Sequence, residues 1–320
     1  MVAALLLLAL AADPAQQMVE GIARWLEQQT SASAQHRHPT RARLREILGV
    51  VDPRVTFDAP ALVATTTRSA LVSENAAFRV YAVRWPVLDG LTAEGLLFEP
   101  RARVVARVVA IPDAGQLPEE FPAAQVLAVR GCQGMVPVLI DRHDTWAGHP
   151  RIRYTNQSHR EFIYRMAFEV GRHPLGFEVQ KVLAAVGWFA GHEDRLPVGV
   201  WGYGEGGGIA LYAAVLDERI RAAGVSGYFA PREDLWRQPL DRNVFGLLRD
   251  FGDAEIARLI IPRALIVDTA PGPVWNGNPE TEERRGAAPG RLAPALEADV
   301  RREAARAPAA VVSADGLTPF

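Results

Sequence analysis

The run Val200 to Gly207 reads V-W-G-Y-G-E-G-G. An apolar strand, Pro197 to Trp201, enters it, and a small-residue helix, Gly207 to Leu216, leaves it. Strand-to-helix bends written G-x-S-x-G hold a serine in a strained backbone so that its hydroxyl stands clear for nucleophilic attack. Here Gly204 takes the central position between Gly202 and Gly206, so the bend has the shape for that chemistry but no side chain to perform it. Glu205 follows, a carboxylate at a helix N-terminus, where the dipole favours negative charge by about 0.3–1 kcal/mol. Capping or ion pairing is its plain role; general base or nucleophile is the sharper one. The backbone N–H of Glu205, with that of Ala114 or Gly115 after an earlier strand, could form an oxyanion hole, which needs no side chains. The plain alternative is a pair of ordinary turns beside a helix start.

A second cluster lies in the loop D-R-H-D-T-W-A-G-H-P, residues 141–150. It leaves the end of an expected parallel strand, the edge where α/β sheets place ligands. Arg142, His143, Asp144 and Trp146 are expected at a pocket mouth, with Tyr154, Asn156, His159 and Arg160 continuing that surface. A solvated polar loop is the alternative. The spacing of His143, His149 and His159 matches no metal motif, so no metal is expected. Gly202, Gly204 and Gly207 satisfy G-x-G-x-x-G after a strand and before a helix, which admits a nucleotide-binding module. Against that reading, the motif lies deep in the chain, and the next strand ends at Val225-Ser226-Gly227 without an acid to hold a ribose.

These residues need a scaffold. Helical spacing runs through 15–48 (Met18, Ile22, Trp25, Leu26, then Leu44, Ile47, Leu48), with a polar break around 30–40. Strands are expected at Phe78–Trp85 and Thr92–Phe98 about the turn dipeptide Asp89-Gly90, then at 104–111, 135–140, 197–201, 222–226 and 263–268. Helices are expected at 118–128, 158–170, 174–190, 207–216, 243–258 and 296–305. An antiparallel opening followed by strand–helix alternation predicts a mostly parallel central sheet covered by helices on both faces. The expected organisation is an N-terminal helical extension (13–60), a core (61–270), and a loop-rich C-terminal segment (271–320) with a helix and a candidate last strand at 309–313.

The chain has 320 residues, 49% of them hydrophobic and 22% charged, which is enough for a large α/β core. A net charge of −2 with no Lys/Arg block gives no reason to propose nucleic acid as a partner. The single cysteine, Cys132, excludes an internal disulfide and reads as packing in a helix-to-strand connection. Residues 1–12, M-V-A-A-L-L-L-L-A-L-A-A, form an apolar run ending in small residues and too short for a stable membrane span. They predict an export signal and a periplasmic or extracellular location, although no Lys or Arg precedes the run. Composition says nothing of oligomeric state.

The runs Gly171–Val179 (G-R-H-P-L-G-F-E-V), G-Y-G-E-G-G, L-D-E-R-I (216–220), R-W-P-V-L-D-G-L-T-A-E-G-L-L (84–97) and D-R-H-D-T-W (141–146) together resemble secreted acetyl xylan esterase and dienelactone-hydrolase-like α/β-hydrolases, over roughly residues 40–270. The resemblance implies the α/β-hydrolase fold and carboxylic-ester chemistry. It also implies a serine at the bend, an acid after a late strand and a histidine after the last strand. Gly204 stands where the serine would be, and Asp268 fits the acid in type and place. All seven histidines (His36, His38, His143, His149, His159, His173, His192) precede the bend, and the terminal S-A-D-G-L-T-P-F offers Asp315 instead. The expectation is a homologue without a conventional triad and without a cofactor, keeping a pocket for an ester, a carbohydrate or a partner protein. The alternative is an active ester hydrolase using Glu205, Asp113 or a histidine of the 143–159 loop. Arg172, before Pro174, resembles a fixed arginine of the family and is expected to pair with Asp144 or Glu178.

Overall fold

The computed structural model describes residues 13–35, 39–145, 155–307 and 311–313. The expected leader (1–12), Trp146, His149, Tyr154, His36, His38 and Asp315 lie outside the described residues. Two helices open the chain, α1 (Pro14–Gln35) and α2 (Arg41–Ile47), the second capped by Thr40, whose side chain accepts from the N–H of Arg43. The strands β1 (Ala61–Leu62), β2 (Leu71–Glu74), β3 (Phe78–Leu88) and β4 (Leu91–Pro100) follow, with β3 and β4 closed by the expected Asp89-Gly90 turn. Beyond them come β5 (Ala106–Ile111), α3 (Pro122–Val129), β6 (Cys132–Pro137), α4 (His159–Phe168), α5 (Pro174–Ala190), β7 (Val198–Tyr203) and α6 (Glu205–Leu216). The chain continues through β8 (Ile220–Ser226), α7 (Leu247–Asp250), α8 (Asp253–Ile260), β9 (Ala264–Asp268), α9 (Glu297–Ala305) and β10 (Val311–Ser313).

The strands form one sheet in the order β1-β3-β4-β6-β5-β7-β8-β9-β10, with β2 paired to β3. Pairings from β6 through β10 are parallel; those of β1 to β4, and β4 with β6, are antiparallel. The expected mostly parallel sheet with an antiparallel opening is therefore observed. Alternation along β4 feeds two cores: Ala93 and Leu97 join the larger, Leu96 and Phe98 the smaller. In the larger core α5 and α6 pack on the sheet around Trp85, Ile111, Met135, Val186 and Ile209. In the smaller, α3 packs through Ala124 and Ala128 on Phe78, Val80 and Val136. Because α6 is buried on every side, small residues dominate its sequence.

Three local expectations are corrected. The helix expected over 243–258 is broken at Phe251-Gly252 into α7 and α8, with Glu255 accepting from the Gly252 N–H to start the second piece. The strand expected at 135–140 begins at Cys132, opposite Ala106 of β5, so Cys132 lies in the sheet instead of a connection. Its burial pushes the thiol pKa up, away from reactive thiolate. Arg172 pairs with Asp52 at 2.7 Å through both Nε and Nη2, tying the α4–α5 turn to the N-terminal segment, because Glu178 is already engaged by Arg160. No helix among the described residues is long and apolar enough to cross a membrane.

Candidate functional site

The strand β5 lies between β6 and β7, so successive connections depart in opposite directions at the strands' C-terminal ends, a topological switch point. Two turns meet there. Ile111 of β5 is in register with Gly202 of β7, which places Pro112-Asp113 beside the bend at Gly204. Gly204 has φ +56° and ψ −123°, a conformation L side chains rarely adopt and one expected of a nucleophile-bearing bend. Two neighbouring glycines are demanded by close backbone approach. A Cβ on Gly206 would come within 2.7 Å of the Ile111 carbonyl carbon, and one on Gly202 within 2.7 Å of the Gly207 nitrogen. Gly207 is confined too, since a Cβ there would lie 2.9 Å from the Ser226 carbonyl oxygen, so Gly202, Gly204 and Gly207 of the G-x-G-x-x-G run serve the packing of strand, bend and helix.

A carboxylate fills the space above Gly204. A Cβ built there would lie 2.8 Å from Asp113 Cγ and 3.0 Å from its Cβ, with Oδ1 closer still. Asp113 Oδ1 accepts from the Glu205 N–H at 2.8 Å, and Oδ2 accepts from the Gly115 N–H at 3.0 Å. Arg142 donates to both oxygens, Nη2 to Oδ1 at 3.0 Å. The N–H groups of Glu205 and Gly115, expected to receive an oxyanion, therefore already hold one, supplied by the chain itself. Asp113 is 3% exposed and Ala114 beside it 2%. Burial pushes the Asp113 pKa up, but Arg142 and the Glu205 N–H outweigh it and hold the carboxylate below its usual range.

Behind the bend the charges continue. Glu205 is fully buried and accepts from Arg242 Nε at 2.8 Å, with Arg142 at 3.5 Å and Arg160 at 3.4 Å. Burial alone would raise its pKa, yet Arg242, Arg160 and Arg142 hold it at about 2. Arg160, fully buried, donates to Glu178 at 2.9 and 3.1 Å, to Asp241 at 2.6 Å and to the Ile140 carbonyl at 2.9 Å. Glu205 is thus an ion-pair hub, and every donor around it is cationic. Removing one member of such a network strands its partner's charge in a low-dielectric interior.

The other expected residues are dispersed. Asp268 ends β9 in register with Ser226, whose hydroxyl donates to it at 2.8 Å, and it also accepts from the Ala270 N–H at 3.1 Å. Among the described residues no histidine is bonded to it. Of the loop residues expected at a pocket mouth, Arg142 turns inward to Asp113, Asp144 pairs with Arg284 at 3.0 Å, and His143 stays exposed near Asp141 at 3.4 Å. His159 also pairs with Asp141, at 2.7 Å, and Arg160 lies in the buried network instead of on the surface. Among the described residues no group of three His, Cys, Asp or Glu is placed to hold a metal. Asp241 and Arg242 escaped sequence reading because they sit in short 3₁₀ turns with no periodic signal. Asp113 had one usable signal, an acid directly following an apolar central strand.

A strap closes the same edge. Asn278 Nδ2 donates to the Arg142 carbonyl at 3.0 Å, and Asn156 Nδ2 donates to the Asn278 carbonyl at 3.0 Å. The N–H of Ala287 donates to Asn156 Oδ1 at 2.9 Å, and that of Ala288 to the Glu161 carboxylate at 3.0 Å. The Pro/Gly-rich stretch expected to be loop is thereby stitched to Arg142, Asn156 and Glu161.

No known protein family and no curated protein matches the chain by sequence. Among solved structures, a candidate acetyl xylan esterase of Bacteroides fragilis superposes with a TM-score of 0.57 at 15% identity, covering 85% of this chain and 72% of its own. An acetyl xylan esterase of Paenibacillus sp. R4 gives 0.47 at 14% identity, over 74% and 83% of the two chains. A dienelactone hydrolase of Anabaena variabilis gives 0.38 at 21%, over 60% and 74%. The first of these likenesses, with the strand order, shows the α/β-hydrolase fold.

Proposed function

We propose that this chain is an exported relative of carboxylic-ester hydrolases that binds an ester or carbohydrate ligand without turning it over by the serine route. One observation carries the reading: the Asp113 carboxylate sits over Gly204 and on the Glu205 N–H, where an attacking hydroxyl and a developing oxyanion would have to be. Asp113 itself is a poor nucleophile, since two N–H groups and a guanidinium already bind its oxygens. Glu205 is a poor base for the same reason, being buried and surrounded by arginines. The ligand class rests on the esterase neighbour of the same fold. Export rests on the apolar run at residues 1–12.

Purified protein incubated with p-nitrophenyl acetate and a fluorophosphonate probe should match a heat-denatured control and take up no label. Turnover above that control, abolished by Asp113→Asn or Glu205→Gln, would replace the proposal with a carboxylate-based hydrolase. Acetylated and plain xylo-oligosaccharides should raise the melting temperature if the ligand class is right. Cell fractionation with N-terminal sequencing checks export.

A further inference from the structure

Helix α1 carries five large apolar side chains on one face. Met18, Val19, Ile22, Trp25 and Leu26 are 63, 64, 53, 57 and 53% exposed. At 100° per residue all five fall within about 60° of Ile22. The helix's charged residues in this stretch, Glu20, Arg24 and Glu27, fall on the opposite side, where Arg24 and Glu20 pair with each other at 3.8 Å. The stripe reads the same in both directions about Ile22: Val19 mirrors Trp25, Met18 mirrors Leu26, and Gly21 mirrors Ala23.

We propose that α1 is a self-association surface whose occupant is α1 of a second copy, antiparallel, with the two-fold axis at Ile22. A two-fold contact must present one patch to itself, and a stripe symmetric about its midpoint meets that demand in the antiparallel sense. Val19 then faces Trp25 of the other copy, Met18 faces Leu26, and Ile22 faces its own equivalent. Small residues at Gly21 and Ala23 flank the seam and permit close approach of the two backbones. No charge is desolvated. From their exposures, the five side chains of two copies bury at most on the order of 1,000 Å², below the range of stable interfaces, so a dimer that dissociates on dilution is expected. A bilayer surface fits less well, because the polar face bears two acids and one base where anionic lipid would want cations.

The full chain should sediment as a dimer near the top of a range from about 1 to about 500 μM and as a monomer near the bottom. Ile22→Glu and, separately, Trp25→Glu should each weaken association at least tenfold while leaving the circular dichroism and the melting temperature unchanged at about 1 μM, where the wild type is monomeric. In a Cys132→Ser background, Ile22→Cys should cross-link to itself, Glu20→Cys should not, and Val19→Cys should link more readily to Trp25→Cys than to itself. A wild-type monomer throughout the range, equal cross-linking at positions 20 and 22, or cosedimentation of monomer with phosphatidylcholine vesicles would each overturn the assignment.

Discussion

Gly204 and Asp113 are one feature. Any side chain at 204 would collide with the carboxylate that now fills the bend, and the positive φ makes the position costly for any residue but glycine. Gly204→Ser should therefore lower stability by more than the ~1–3 kcal/mol of backbone strain alone, and should remain inert toward esters, since Asp113 occupies the bend and no histidine among the described residues is bonded to Asp268. Urea unfolding and the p-nitrophenyl acetate assay read the two outcomes. Asp113→Ala takes from buried Arg142 the carboxylate it hydrogen-bonds and leaves it only Glu205 at 3.5 Å, a loss of at most about 3–5 kcal/mol. The double variant Asp113→Ala/Arg142→Met should recover part of that loss, and additivity in the double-mutant cycle would refute coupling between the pair.

At the scale of elements, the start of α5 has an acid-sensitive cap. His173 Nδ1 accepts from the Leu175 N–H at 3.1 Å, and burial together with Arg160 lowers its pKa to about 3. The unfolded chain protonates this histidine near pH 6.5, ahead of the folded one, so its contribution is complete above about 6.5 and shrinks as pH falls toward 3. The slope should be at most about 1.4 kcal/mol per pH unit. His173→Asn keeps a capping acceptor but cannot titrate, and should flatten the stability profile between about pH 6.5 and 4.5. Glu205, held at about 2, adds a second loss that begins only below the unfolded carboxylate pKa of about 4.3 and runs down to about 2. Denaturant midpoints across pH separate the two windows; an unchanged profile in His173→Asn would remove the histidine from the account.

For the whole molecule, the strap and the buried ion network close the sheet edge at which β5 and β7 end. Asn278→Ala removes the side-chain bonds to the carbonyls of Arg142 and Asn156. Amide exchange should then quicken at 142–145, 155–161 and 278–288 while β7 and α6 keep their protection. Uniform quickening through the core would mean that the strap supports the fold as a whole instead of guarding one edge.

Much of the architecture was legible from local pattern. The Asp89-Gly90 hairpin, the parallel strands, the helix beginning at Pro174 and the bend at Gly204 all follow from turn chemistry and periodicity, which act over a few residues. Pattern failed where a turn interrupts continuous spacing, as at Phe251-Gly252, and where charged residues far apart in the chain meet. That glycine takes the central position of the bend is a property of the sequence alone. Only the fold revealed that Asp113 takes the space over Gly204 and that Arg142, Arg160 and Arg242 converge on Glu205. Ion pairs between residues tens of positions apart leave no periodic trace, because their energy comes from shared burial and not from chain neighbours.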